Sequence, residues 1–161
     1  MGTQRKTVTA LDVGRYLIYR AGAEKKPLTN KKLQKLVYYS QAWSLVLNGK
    51  KLFNDPIEAW VHGPAVRSLY LRYKRYGFDP IDEVVDEKSI SIPPKGKHVI
   101  DEVWDVYGSF DAAYLEFLTH SEKPWQDARN GLNEHEISDR EIPRRDMKAF
   151  YTAKMEGLAV K

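Results

Sequence analysis

Twenty consecutive residues, Thr29 to Asn48, contain neither glycine nor proline, and their apolar side chains fall on two faces of a helix. Leu33, Leu36, Val37, Trp43 and Leu47 form one stripe, interrupted by Ser40. Tyr38, Ala42 and Leu45 form the second. A helix apolar on two faces needs neighbours on both, so it belongs at the centre of a bundle. Thr29 is suited to cap its N-terminus, and Asn48-Gly49 to stop it, glycine adopting the left-handed conformation without strain.

The flanking segments supply the neighbours. Thr9 predicts an N-cap with Asp12 reaching back to it, followed by Val13, Tyr16, Leu17 and Arg20 at helical spacing up to Gly22. Ile57 to His62 alternates like a strand, with Leu52-Phe53 as a candidate hairpin partner or a hydrophobic lead-in. Gly63-Pro64 predicts a break and a new helix, in which Val66, Leu69, Tyr70 and Tyr73 face inward and Gly77 ends the run. Ser89 to Ile92 alternates like a short strand ended by Pro93-Pro94. His98 to Tyr107 predicts a helix with Val99, Ile100, Val103, Val106 and Tyr107 inward, closed by Gly108. Ser109 is the expected cap of a helix reaching His120. Pro124 and Pro143 each predict a further helix start. The expected fold is mainly α: a single compact helical domain of about seven helices with a small β-hairpin or short β element. It covers 1–161, with a core at about 8–151 and flexible ends at 1–7 and 152–161.

The chain has 161 residues, 42% apolar and 30% charged, a balance that suits a globular domain rather than a disordered one. Its lack of cysteine excludes disulfides, thiol catalysis and cysteine zinc sites. His62, His98, His120 and His135 never pair at the i, i+4 spacing of a helical zinc site. No phosphate loop, dinucleotide fingerprint or Gly-x-Ser-x-Gly elbow occurs. Asp82, Glu83, Asp86 and Glu87 form an acidic run of the kind usually solvated in a loop. The expectation is a protein that is not an enzyme and holds no cofactor or metal. No stretch approaches the roughly 20 apolar residues of a spanning helix, and no targeting segment is visible, so no membrane partner and a cytoplasmic location are expected.

The net charge of +4 is unevenly spread. Residues 1–35 carry nine basic and two acidic side chains, whereas residues 80–136 carry five and thirteen. Such a basic half suits nucleic acid, an anionic surface or an acidic protein, unless the two halves face each other. Lys31, Lys32 and Lys35 lie at the start of the long helix, where phosphates could meet them. A recognition helix, however, needs a polar face free for base edges, and this one is apolar on two faces. Trp60 and His62 share one side of the predicted strand and, with nearby Arg67 and Tyr70, have the composition of interface anchors.

Several of these words occur together in a known family. Leu28 to Trp43, Gly49 to Phe53, Ile57 to Val66, Leu69-Tyr70, Tyr73 to Gly77, Leu118 to Trp125 with Ala128-Arg129, and Ile142 to Tyr151 are similar to the Panacea domain. That family includes GepA-type phage-associated proteins and SocA-like antitoxins. The likeness runs from about Val8 to Tyr151 and is weakest over 8–22 and 79–97. It implies an antitoxin-type module that neutralises a cognate protein toxin, encoded by an adjacent gene, by direct binding. One relative delivers its toxin to a protease, so a cellular protease is a further candidate partner. The alternative is a DNA-binding transcriptional autoregulator using the basic N-terminal half. The expected partner contacts are Lys32, Lys35, Tyr39, Trp60, His62, Arg67 and Tyr70. Gly63, Pro64 and Trp125 are expected to serve the fold.

Overall fold

A computed structural model describes residues 7–157. Its described residues form seven α-helices and one two-stranded antiparallel hairpin: α1 (Ala10–Ala23), α2 (Asn30–Leu47), β1 (Glu58–Trp60), β2 (Gly63–Ala65), α3 (Arg67–Tyr73), α4 (Pro94–Tyr107), α5 (Ala112–His120), α6 (Lys123–Ala128) and α7 (Arg144–Met155). Helix α2 is the axis, packed against α1, α3, α4, α5, α7 and the hairpin. Leu33, Leu36, Val37, Tyr38 and Ala42 are all buried, so both predicted stripes are used. Only the C-terminal end of the first stripe emerges, at Leu47.

Local chemistry sets several helix ends. Thr9 accepts from the Asp12 backbone N–H at 3.2 Å while the Asp12 carboxylate accepts from the Thr9 N–H at 3.0 Å, closing the capping box. The Thr29 hydroxyl accepts from the Lys32 N–H, and Gly49 follows α2 with φ +70°. Helix α5 begins later than expected, because Asp111 rather than Ser109 caps it, accepting from the Tyr114 N–H at 2.8 Å. Val106, expected inside, is 58% exposed on the outer side of α4. The expected flexible ends fall partly outside the described residues, but Thr152 to Met155 are the last turn of α7.

The β element departs from expectation. The partner of β1 is β2, with Ala59 opposite Pro64 and Trp60 opposite Gly63. Pro64 therefore lies in a strand, and α3 starts at Arg67 after Val66. Leu52 and Phe53 are claimed instead by the Gln41 side chain. Its carbonyl accepts from both their N–H groups, at 2.7 and 3.2 Å, and its amide donates to the Phe53 carbonyl at 2.8 Å. With those groups satisfied there is no free edge to pair with β1. The other edge of β1 meets the Arg140–Ile142 segment, through Ala59 N–H to Arg140 O and Ile142 N–H to Ile57 O, both 2.8 Å.

Residues 89–92 are not a strand either. A single 3-10 turn spans Glu87–Ser89, and Ile90 and Ile92 bury their side chains without a pairing partner. They belong to the acidic segment 80–136, whose carboxylates reach basic side chains of the first half of the chain. Asp101 pairs with Arg20, Glu116 with Lys31 and Glu83 with Arg72. The acidic segment thus faces part of the basic one, and the charge asymmetry of the sequence is partly neutralised within the fold.

Candidate partner-binding face

Helix α2 and the hairpin are locked together by polar side chains. The Gln34 amide oxygen accepts from the Val66 N–H at 2.9 Å, and its nitrogen donates to Asn30 Oδ1 at 2.9 Å. Asn30 in turn donates to the Tyr70 carbonyl at 3.1 Å. The Lys35 ammonium donates to the Pro64 carbonyl at 3.2 Å. Gly63 sits directly over it with φ +111°, and a Cβ there would lie 2.5 Å from Lys35 Cε. Glycine is therefore required by both conformation and space. Lys35 is 3% exposed, and burial pushes its ammonium pKa down to about 7.

The outer side of the hairpin is held by α6. The buried Arg129 guanidinium donates to the carbonyls of Ala59 at 2.8 Å and Glu136 at 2.6 Å. The Trp125 indole donates to the Trp60 carbonyl at 2.8 Å and stacks on His120, with centroids 3.9 Å apart. Burial lowers the His120 pKa. Trp125 thus docks the short helix, and what it grips is the strand.

Three of the seven expected contact residues point inward. Tyr39 is 0% exposed; it stacks on Tyr107 at 4.1 Å and donates to Glu122 at 2.7 Å. The same carboxylate accepts from Tyr151 at 2.9 Å and from Lys154 at 2.9 Å. Burial, with the Glu122 charge beside them, raises the Tyr39 and Tyr151 phenols well above their ordinary range. Lys32 donates to the Gly108 carbonyl at 2.6 Å, at the C-terminal end of α4, where a cation suits the helix dipole. Lys32, Lys35 and Tyr39 therefore belong to the interior of the fold. Their helix is covered on most sides, which turns two of its three lysines inside.

The other four come together. Trp60, His62, Arg67 and Tyr70 line a groove of about 920 Å³. Trp60 and Tyr70 meet edge to face with centroids 5.0 Å apart, and the Arg67 guanidinium lies 5.2 Å from the Trp60 ring. One Glu58 oxygen accepts from both the Trp60 indole, at 2.8 Å, and Arg67, at 2.9 Å. His62 approaches Glu116 at 3.4 Å, and Lys31 pairs with the same carboxylate. Burial works against the Glu116 charge, but the hydrogen bonds from Lys31 and His62 and the Lys31 charge hold its pKa below the ordinary value.

Phe78 and Ile137 also line the groove, at 94% and 91% exposed, and the sequence reading passed over both. The signal was a large apolar residue stranded in a polar turn, Gly77-Phe78-Asp79 and Glu136-Ile137-Ser138. Single exposed apolar residues are ordinary, but two lining one cavity are not.

The described residues form a mainly helical domain that carries a groove lined by aromatic and basic side chains. The family described as "Antitoxin SocA-like, Panacea domain" matches residues 33–126, and the chain belongs to this family. The chain is similar to Antitoxin SocA of Caulobacter vibrioides (strain NA1000 / CB15N), with 30% identity over 137 residues that cover 78% of this chain and 73% of the relative. No solved structure matches. The matched residues include Gln34, Lys35, the hairpin and Trp125, the parts that interlock. Family membership supports an antitoxin role, implies a toxin partner in general and suggests a non-catalytic regulator. Among the described residues no helix is long and apolar enough to cross a membrane.

Proposed function

We infer that this chain neutralises a cognate protein toxin, the product of an adjacent gene, by binding it directly through the groove. The observation that carries this reading is the convergence of Trp60, His62, Arg67 and Tyr70 on one cavity that also holds exposed Phe78 and Ile137. Tyr, Trp and Arg in such a setting are the residues that dominate interface energies, each costing about 1–2 kcal/mol or more when truncated. The hairpin behind Trp60 is tied to α2 by side-chain hydrogen bonds, which limits the ordering entropy lost on docking.

The alternative of a DNA-binding autoregulator draws no support from α2. Fourteen of its 18 residues are buried, Lys32 and Lys35 among them, and a recognition helix needs an open polar face. Direct binding is compatible with steric blockade and with delivery of the bound toxin to a cellular protease.

The test is co-expression of the adjacent gene with and without this chain. The expected result is growth arrest relieved by the chain, with a complex recovered on co-purification. Persistent arrest in the presence of folded chain, or the absence of a complex, refutes the reading. Repeating the rescue in protease-deficient cells separates blockade, which survives there, from delivery, which does not.

A further inference from the structure

The geometry points to the chemical class of segment that the groove accepts: an acidic stretch of the toxin bearing at least one large apolar side chain. This rests on the toxin-binding reading above and specifies its ligand.

Charge comes first. The groove is lined by Lys31, Arg67, Lys74, His62 and His135, with Lys35 beneath, and no carboxylate is among its lining residues. A concave site lined by one sign of charge concentrates its field and attracts the opposite sign. The chain already shows what these donors recognise. The Trp60 indole N–H and the Arg67 guanidinium converge on a single oxygen of Glu58, at 2.8 and 2.9 Å. Lys31 and His62 converge on Glu116. Glu58 and Glu116 compensate Arg67 and Lys31 but do not line the groove, and Lys74 has no ion-pair partner among the described residues, so the groove keeps an excess of positive charge. An arriving carboxylate can share Arg67, whose side chain is about half exposed.

Apolar surface comes second. Phe78 and Ile137 stand almost wholly in water and line the same groove as the Trp60–Tyr70 pair. A purely polar acidic strand would leave them wet. A segment with an aromatic or branched aliphatic side chain among its carboxylates would cover them and gain from the apolar area removed. Another copy of this chain carries a segment of similar chemistry, the 82–87 loop with Val84 98% exposed between acidic residues. Self-association is therefore a defined competing outcome.

The experiment measures association and dissociation of the purified toxin with wild-type chain and four variants at two salt concentrations. Unchanged thermal melting serves as the folding control. Lys74→Glu is expected to weaken binding by about tenfold or more at low salt, mainly through slower association, and by about twofold at high salt, where screening removes steering, and Arg67→Glu by about tenfold or more at either salt, because it also removes an anchoring contact. Phe78→Ser is expected to speed dissociation by about tenfold with no salt dependence. Glu58→Gln retains an acceptor for the indole but removes the charge competing for Arg67, and it should tighten binding by about two- to fivefold. The opposite signs at Glu58 and Arg67 are decisive, because a merely structural role for their ion pair predicts weaker binding from both.

If wild type binds and Lys74→Glu and Phe78→Ser stay within about twofold of it, the acidic-segment inference falls while the antitoxin reading stands. If Glu58→Gln weakens binding as Arg67→Glu does, the charge account is overturned. If the wild type self-associates and Lys74→Glu abolishes this without affecting toxin binding, the groove is an interface between copies and the inference is overturned. If wild type binds no toxin, both readings fall together.

Discussion

Replacing Lys35 by methionine tests the account of the α2–hairpin junction through pH. The ammonium is 3% exposed, has the Pro64 carbonyl at 3.2 Å, and has its pKa pushed down to about 7 from an ordinary 10.5 by burial. The unfolded chain therefore binds one more proton than the folded chain between those two values. Stability rises with pH wherever the unfolded state holds more protons, so the fold strengthens from about pH 7 towards pH 10. One proton contributes about 1.4 kcal/mol per pH unit, or on the order of 4 kcal/mol over three units. Above pH 10 the buried phenols of Tyr38, Tyr39 and Tyr151, all raised by burial, reverse the trend, because they ionise only on unfolding. Stability should peak between about pH 9 and 10. Lys32, also lowered by burial, adds to the same rise, so the diagnostic quantity is the difference between wild type and Lys35→Met. The variant loses one hydrogen bond, worth about 1 kcal/mol, but has no ammonium to keep out of water. Urea unfolding at pH 7, 8, 9 and 10 gives the comparison. Equal slopes in the two proteins would refute a buried, proton-releasing Lys35.

Three further outcomes follow from the same contacts. Gly63→Ala places a methyl group against Lys35 at a φ that L-residues rarely adopt, and should cost about 2–4 kcal/mol in denaturant unfolding, with a smaller loss in the Lys35→Ala background. Glu122→Ala leaves Lys154 without its carboxylate and the Tyr39 hydroxyl without an acceptor, and should cost about 3–5 kcal/mol, against about 1 kcal/mol for Tyr39→Phe. Thr29→Ala removes the α2 cap and should cost about 1 kcal/mol by the same measurement, with no effect on the rate of toxin association.

The residues differ in how much of their environment is local. Thr9, Asp12, Thr29 and Gly49 act within one turn of a helix, so their roles were legible before any fold was known. The centrality of α2 was legible too, because two apolar stripes demand two sets of neighbours. The partner of β1 was not. Leu52-Phe53 and Gly63–Ala65 both suit an extended chain, and the choice rested on Gln41, eleven residues from Leu52, occupying the backbone groups of the first. Ser89 to Ile92 had the alternation of a strand but met no free edge.

The candidate site divides the same way. Trp60, His62, Arg67 and Tyr70 lie within eleven residues of one another and stayed together on the surface. Lys32, Lys35 and Tyr39 have surface-like chemistry, yet each found a buried oxygen to bond. Phe78 and Ile137 are 59 positions apart and became neighbours of one groove only when the chain closed.

By itself, then, the sequence determined the helical class, the axial helix, its caps and the residue types available for binding, because these depend on periodicity and on contacts a few residues apart. Tertiary structure alone decided which lysines face water, what pairs with β1, and that the cations and exposed apolar side chains share one groove. Those outcomes depend on which distant donor reaches which acceptor first, and no local pattern encodes that distance.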